Sequence, residues 1–235
     1  MPTAPRKPLT AAKQTAGSPR RRREGPSTPL TRARIVSTAL ALVDRDGLGA
    51  LSMRRLGTEL GVDPMAVYYH IPNKEALCDA IVEAVMADID LAVDRPDDPP
   101  EARILVAARA YRDTLLAHRN ALPIILERGP ATPGALRPVE LLIGVLRAAG
   151  LPPGLALAGM TTLAATVRGT VGMAGTGSAA APAPEQIEAA ARQLPPGEFP
   201  FLREAMLEAG TCQCDFEFGI RALARGLLAE ARACG

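Results

Sequence analysis

LSMRRLGTELGVDPMAVYYHIPNKEALCDA, residues Leu51 to Ala80, carries three helix starts and two stops, and the rest of the chain is read outward from it. Ser52 is a good N-cap, and Met53 to Leu60 places Leu56 and Leu60 four apart on one face. Gly61 supplies the left-handed residue that stops this helix. Asp63 followed by Pro64 is a second start, a cap with proline at the first helical position. This second helix ends near His70, because Pro72 turns Ile71 away from helical geometry. Asn73 caps a third helix, with Leu77, Ile81 and Val85 in register.

Two short helices joined by a tight Gly-Val turn form a helix-turn-helix. The second helix turns Val67 inward and leaves Met65, Ala66, Tyr68, Tyr69 and His70 on or near its outer face. The major groove of B-DNA admits a helix, and aromatic hydroxyls, an imidazole and small apolar groups suit phosphates and thymine methyls. Lys74 adds a phosphate contact at the next helix start. The candidate DNA-binding set is therefore Ser52, Arg54, Pro64, Met65, Ala66, Tyr68, Tyr69, His70 and Lys74.

Arg54-Arg55-Leu56, Leu60-Gly61-Val62, the triplet Tyr68-Tyr69-His70 and Asn73-Lys74 with Ala76-Leu77 resemble the DNA-binding domain of TetR-family transcriptional regulators, in the tetracycline-repressor-like branch. The resemblance implies that Arg54 and the Pro64–His70 helix read or hold an operator while Lys74 grips its backbone. Phe199-Pro200-Phe201-Leu202, Asp215 to Ile220, Ala222-Leu223 and Gly226-Leu227 resemble the C-terminal domain of the same branch. The match runs from about Leu30 to the end, with the middle resting on order and size.

The chain has 235 residues, a net charge of +2, 3% aromatic residues and no tryptophan. So small a charge advertises no large field for nucleic acid; its distribution matters more, with seven Lys/Arg and one acid before Leu30. Residues 1–29 hold too few large apolar side chains to order themselves and read as a disordered basic N-terminal arm. Arg20 to Arg23 either follows the groove beside the first helix or is a solvated tail, and both readings stand. No apolar run reaches the roughly 18 residues of a membrane span, and no signal peptide is seen. The four cysteines are few, so a reduced, cytoplasmic protein is expected.

Residues 30–95 are expected to form the headpiece with its linking helix, the first helix running Thr31 to Asp46. The helix begun at Asn73 is expected to continue to about Val93, roughly 30 Å, with Asp88, Asp90 and Asp94 as a solvated face. Residues 96–235 are expected to form the effector-binding and dimerisation domain. Its helices run Glu101–Ala117, Ala121–Glu127, Pro138–Ala149, Leu155–Met173, Phe201–Ala209 and Asp215–Ala233, with Gly129, Pro130, Pro133 and Gly134 in a loop, and Glu185–Gln193 either a weak helix or part of the flexible loop that starts at Gly175. The fold class is all-α.

Leu155–Met173 and Asp215–Ala233 carry more apolar surface than one chain needs, which points to a homodimer matched to a palindromic site. The resemblance implies a four-helix bundle there; a monomer with a generous core is the alternative. An effector pocket is expected between Glu101 and Met173, with Arg109, His118, Thr161, Thr162, Thr166 and Arg168 as candidate ligand contacts. Each has a plainer role: a histidine meeting a helix dipole, threonines bonding their own backbone, an arginine at an interface. Relatives of the tetracycline-repressor type hold a magnesium–drug complex with two histidines. This chain has only His70 and His118, and neither matches those places. The resemblance therefore implies an apolar or amphipathic small-molecule effector bound without metal or other cofactor.

No G-x-S-x-G, G-x-x-x-x-G-K-[ST] or H-E-x-x-H occurs, so no catalytic role is assigned. Cys212-Gln213-Cys214 lacks a second pair for zinc. The expected function is that of a ligand-responsive regulator, a repressor in most such cases, released from double-stranded DNA by its effector. A ligand-independent or thiol-responsive DNA-binding regulator is the alternative; a protein-interaction adaptor using the headpiece surface is a further rival.

Overall fold

Thr31 Oγ1 accepts the Arg34 N–H at 3.2 Å and starts α1 (Arg32–Asp46). Its buried residues, Ile35, Val36, Ala39, Leu40, Leu42 and Val43, form one stripe at helical spacing. The computed structural model describes residues 29–175, 184–195, 197–209 and 216–234. Among these residues the chain is all-helical, with eleven α-helices and three short 3₁₀ turns. The expected arm at 1–29, the Arg20–Arg23 cluster and Cys212-Gln213-Cys214 lie outside the described residues, Pro29 excepted.

The caps expected for the helix-turn-helix are present. Ser52 Oγ accepts the Arg55 N–H at 3.2 Å and opens α2 (Met53–Leu60). Gly61 stops it with φ 70°, a conformation costly for any residue with a Cβ. Asp63 then caps α3 (Pro64–His70) by accepting the Met65 N–H at 2.8 Å. Asn73 caps α4 (Lys74–Ala87) through the Ala76 N–H at 2.7 Å. The α2–α3 corner is tight at Gly57, where an added Cβ would lie 3.1 Å from the Val62 carbonyl and 3.2 Å from Pro64 Cα. Both neighbours are backbone and cannot swing aside. Gly57→Val is therefore expected to lower stability by about 1–3 kcal/mol and to prise α3 from its seat, read as a lower melting temperature together with loss of DNA binding.

The linking helix is shorter than its apolar register predicts. It ends at Ala87, and the Asp88 N–H closes it by bonding Ala84 and Val85 carbonyls. Asp90 instead caps a 3₁₀ turn at Leu91–Val93, accepting the Ala92 N–H at 2.9 Å. Three acids in one C-terminal stretch oppose the helix dipole, and Asp competes for backbone N–H groups. Nor are these acids simply a solvated face. Asp94 takes two hydrogen bonds from Arg103, at 2.8 and 2.9 Å, in a partly buried site. That fork holds the Asp94 carboxyl below its usual range.

Beyond the turn run α5 (Pro100–Ala117), α6 (Leu122–Glu127), α7 (Pro133–Ala148) and α8 (Pro153–Gly175). They are followed by α9 (Pro184–Gln193), α10 (Pro200–Ala209) and α11 (Phe216–Cys234). The helix expected from Pro138 starts a turn and a half earlier. Thr132 caps it through the Ala135 N–H and Pro133 takes a first-turn position where no donor is needed, leaving Pro138 inside the helix at the loss of one backbone bond. α5 packs on α7, α8 and α11, while α4 lies between α1 and α7. Ile104, Leu115, Ile124, Leu146 and Leu151 are among the large, fully buried side chains of this second half.

Candidate functional site

Val67 is the one buried side chain of α3; it anchors the helix with 0% exposure. Helical spacing then turns its neighbours outward: Met65 is 71% exposed, Tyr68 41% and Tyr69 90%. Pro64, Ala66 and His70 are half-buried, and the His70 ring meets Tyr69 edge-on at 5.7 Å. The arginines beside this helix divide sharply. Arg55 is held by Asp46 at 2.5 Å, and Arg45 spans Asp46 and Glu59 at 3.1 and 2.6 Å. Arg54 and Lys74 are exposed and form no ion pair with a described residue. The surface thus offers a protruding aromatic and methionine ridge with free cations on flanking helices. Ser52 acts as the α2 cap.

A cavity of about 210 Å³ lies between the linking helix and the second half, walled by α4, α5, α7 and α8 with Ile125 of α6. Val82 and Met86 bring α4 into this wall, and Ile89 and Leu91 continue it past the helix end. Its lining is aliphatic except for Tyr111, Thr161 and Arg168. Thr161 and Arg168 are thus brought together as expected ligand contacts would be, although the Thr161 hydroxyl already donates to the Leu157 carbonyl at 2.9 Å. Thr162 and Thr166 do not line the cavity; their hydroxyls bond the Ala158 and Thr162 carbonyls, both at 2.9 Å.

Arg109 and His118 lie in a separate shallow depression with Asp88 and Asp90. Arg109 is paired with Glu217 on α11. His118 Nδ1 is 2.8 Å from Asp44 of α1, and its Nε2 is 3.5 Å from Asp88 at the end of α4. A single histidine at the α5 terminus thus joins headpiece and second half. Arg128, after α6, makes a second such tie, to Asp79 of α4 at 2.6 Å.

Tyr111 is the polar cavity residue that the sequence reading does not name. Its signal was slight: one aromatic among aliphatic positions of α5. Burial pushes its phenol pKa up, with the nearby Arg168 guanidinium pulling the other way. The phenol is therefore a neutral donor at ordinary pH.

Residues 35–81 match the family described as bacterial regulatory proteins, tetR family, and residues 94–231 match the tetracyclin repressor-like C-terminal domain. An HTH-type transcriptional regulator of Saccharopolyspora erythraea is 32% identical over 215 residues, 86% of either chain. The class A tetracycline repressor protein from transposon 1721, of Escherichia coli, is 32% identical over 138 residues, 58% of this chain and 63% of its own. Apo ActR of Streptomyces coelicolor is similar in structure with a TM-score of 0.78 at 31% identity, covering 88% of this chain and 99% of its own. The same protein in complex with actinorhodin gives 0.75 at 31% identity, over 87% and 99%. With a helix-turn-helix at its start and the tetracycline-repressor type of helical domain behind it, the chain belongs to the TetR family of transcriptional regulators.

Proposed function

We propose that this regulator binds a palindromic operator as a homodimer and is released from it by a small-molecule effector, acting as a repressor. Residues 30–95 then carry the DNA surface, residues 96–235 the effector and dimer surfaces. The observation that carries this reading is the double duty of α4: its capped end at Asn73 adjoins α3, and Val82 and Met86 wall the cavity. A ligand that reshapes the cavity must press on the helix that seats the DNA reader.

Three further features support it. ActR, of similar fold, has been solved with actinorhodin. Arg128 and His118 grip α4 from the second half, so its movement is not absorbed by a slack joint. α8 exposes Ala158, Thr162, Ala165 and Gly169, and α11 exposes Gly219, Ala222, Gly226 and Ala229, two small-residue stripes on which a second copy can pack closely. The thiol-responsive alternative gains nothing from Cys78, which is buried with its thiol pKa pushed up by desolvation. Among the described residues no helix is long and apolar enough to cross a membrane.

Moving an operator from mostly occupied to mostly free takes about 3 to 5 kcal/mol of differential affinity. The test is fluorescence anisotropy of a labelled operator duplex, titrated with compounds that raise the protein's melting temperature. Such compounds are expected to release the DNA, and Ala164→Phe, which fills the cavity, is expected to abolish release while retaining DNA binding. Release that persists in the filled variant would count against the cavity as the effector site.

A further inference from the structure

Of the three polar side chains in the cavity, Thr161 and Arg168 each make one bond to their own helix, and Tyr111 makes none to a described residue. Arg168 gives its Nε–H to the Ala164 carbonyl at 3.3 Å and forms no ion pair with any described residue. The cavity wall contains no Asp or Glu. A guanidinium stays charged at any ordinary pH and has no acceptor capacity, so this half-buried one, set in an aliphatic wall without a carboxylate, is an unmet demand for negative oxygen. Tyr111, on the facing helix α5, adds an O–H with no hydrogen bond to a described residue. Ala108 and Ala164, each about one turn before these groups, keep the space between the two helices open.

We infer that the effector is an organic anion, an apolar body bearing one carboxylate or comparably acidic oxygen that Arg168 grips and Tyr111 supports by donation. This rests on the reading of the cavity as the effector site. Size adds a limit. A cavity of about 150 Å³ holds benzene, so one of about 210 Å³ suits a body of one or two rings unless the walls part. A neutral hydrocarbon fills the space but leaves the cation unmatched, whereas a second charge would meet only aliphatic wall.

Isothermal titration at pH 7.5 with 2-naphthoate and with neutral 2-naphthamide tests this on the full chain. The naphthoate is expected to bind roughly 10- to 100-fold more tightly, as a charge-assisted hydrogen-bonded pair implies. Arg168→Gln is expected to weaken naphthoate alone and erase the preference, Arg168→Lys to keep part of it, and Tyr111→Phe to weaken naphthoate a few-fold. Circular dichroism checks that each variant is folded, and the lysine variant carries the test if the glutamine one is not. Equal binding of both compounds to the unaltered protein overturns the anion assignment while leaving the cavity a ligand site. A preference surviving in Arg168→Gln overturns it too, and loss of the dimer without loss of preference would assign Arg168 to the subunit contact. Binding of neither compound overturns both readings together.

Discussion

Tyr68→Ala and Arg54→Ala are each expected to abolish specific operator binding while leaving fold and dimer intact. Losing one base or phosphate contact at a well-seated reader costs about 1–3 kcal/mol, and a twofold dimer loses it in both half-sites, about 2–6 kcal/mol or roughly 30- to 20,000-fold in affinity. Tyr68 stands one residue past the buried anchor Val67, is 41% exposed and is not a core residue, so truncation leaves the buried side chains in place. Arg54 has no ion pair to lose among the described residues. Its neighbour Arg55 is the control. Bound to Asp46, it works within the headpiece, and Arg55→Ala is expected to cost under about 1 kcal/mol of stability with a smaller effect on DNA. Electrophoretic mobility shift with the operator and with a scrambled duplex, beside sedimentation, separates these outcomes. Loss of the dimer in Tyr68→Ala would contradict the placement of α3 on the DNA side.

The second large effect concerns pairing of chains. Ala222→Arg and Gly226→Glu place a long or charged side chain on the exposed small-residue stripe of α11. In a solitary chain both are surface changes worth under about 0.5 kcal/mol. In a close-packed twofold contact each would insert a desolvated charge beside its own symmetry mate. We expect these variants to sediment as monomers with unchanged helix content. Their operator affinity is expected to fall by about 100-fold or more, because the second half-site no longer binds as an intramolecular event. A variant that stays dimeric would move the subunit contact elsewhere, with the exposed Phe201 and Phe218 as the next surfaces to examine.

What could be read from the sequence follows from how local each determinant is. Thr31, Ser52, Asp63 and Asn73 each bond a backbone N–H two or three residues onward, and Gly61 stops its helix by its own conformation. Those signals sit inside a few residues and survive any tertiary context. The end of α4 is not legible in the sequence because the apolar register of Leu77, Ile81 and Val85 looks like continuing helix. Capping by Asp88 and Asp90 decided otherwise. The start of α7 is hidden for the opposite reason: Pro133 reads as a breaker but is favoured in the first turn.

Determinants that join distant segments were invisible. Nothing near His118 announces Asp44 and Asp88, nor does anything near Arg128 announce Asp79. Tyr111 and Arg168 are 57 positions apart and become one site only when α5 packs on α8. The threonines of α8 are candidates on their chemistry alone. Orientation then separated Thr161, on the cavity, from Thr162 and Thr166, which are not.

The central claim is that two copies of α3 read two half-sites related by a twofold axis. Selection of bound fragments from a random DNA pool, followed by sequencing, tests it most directly. The account predicts inverted repeats whose centres lie about one helical turn, or a whole multiple of it, apart, with enrichment lost in Tyr68→Ala. Enrichment of a single asymmetric site, or of no sequence at all, would contradict it.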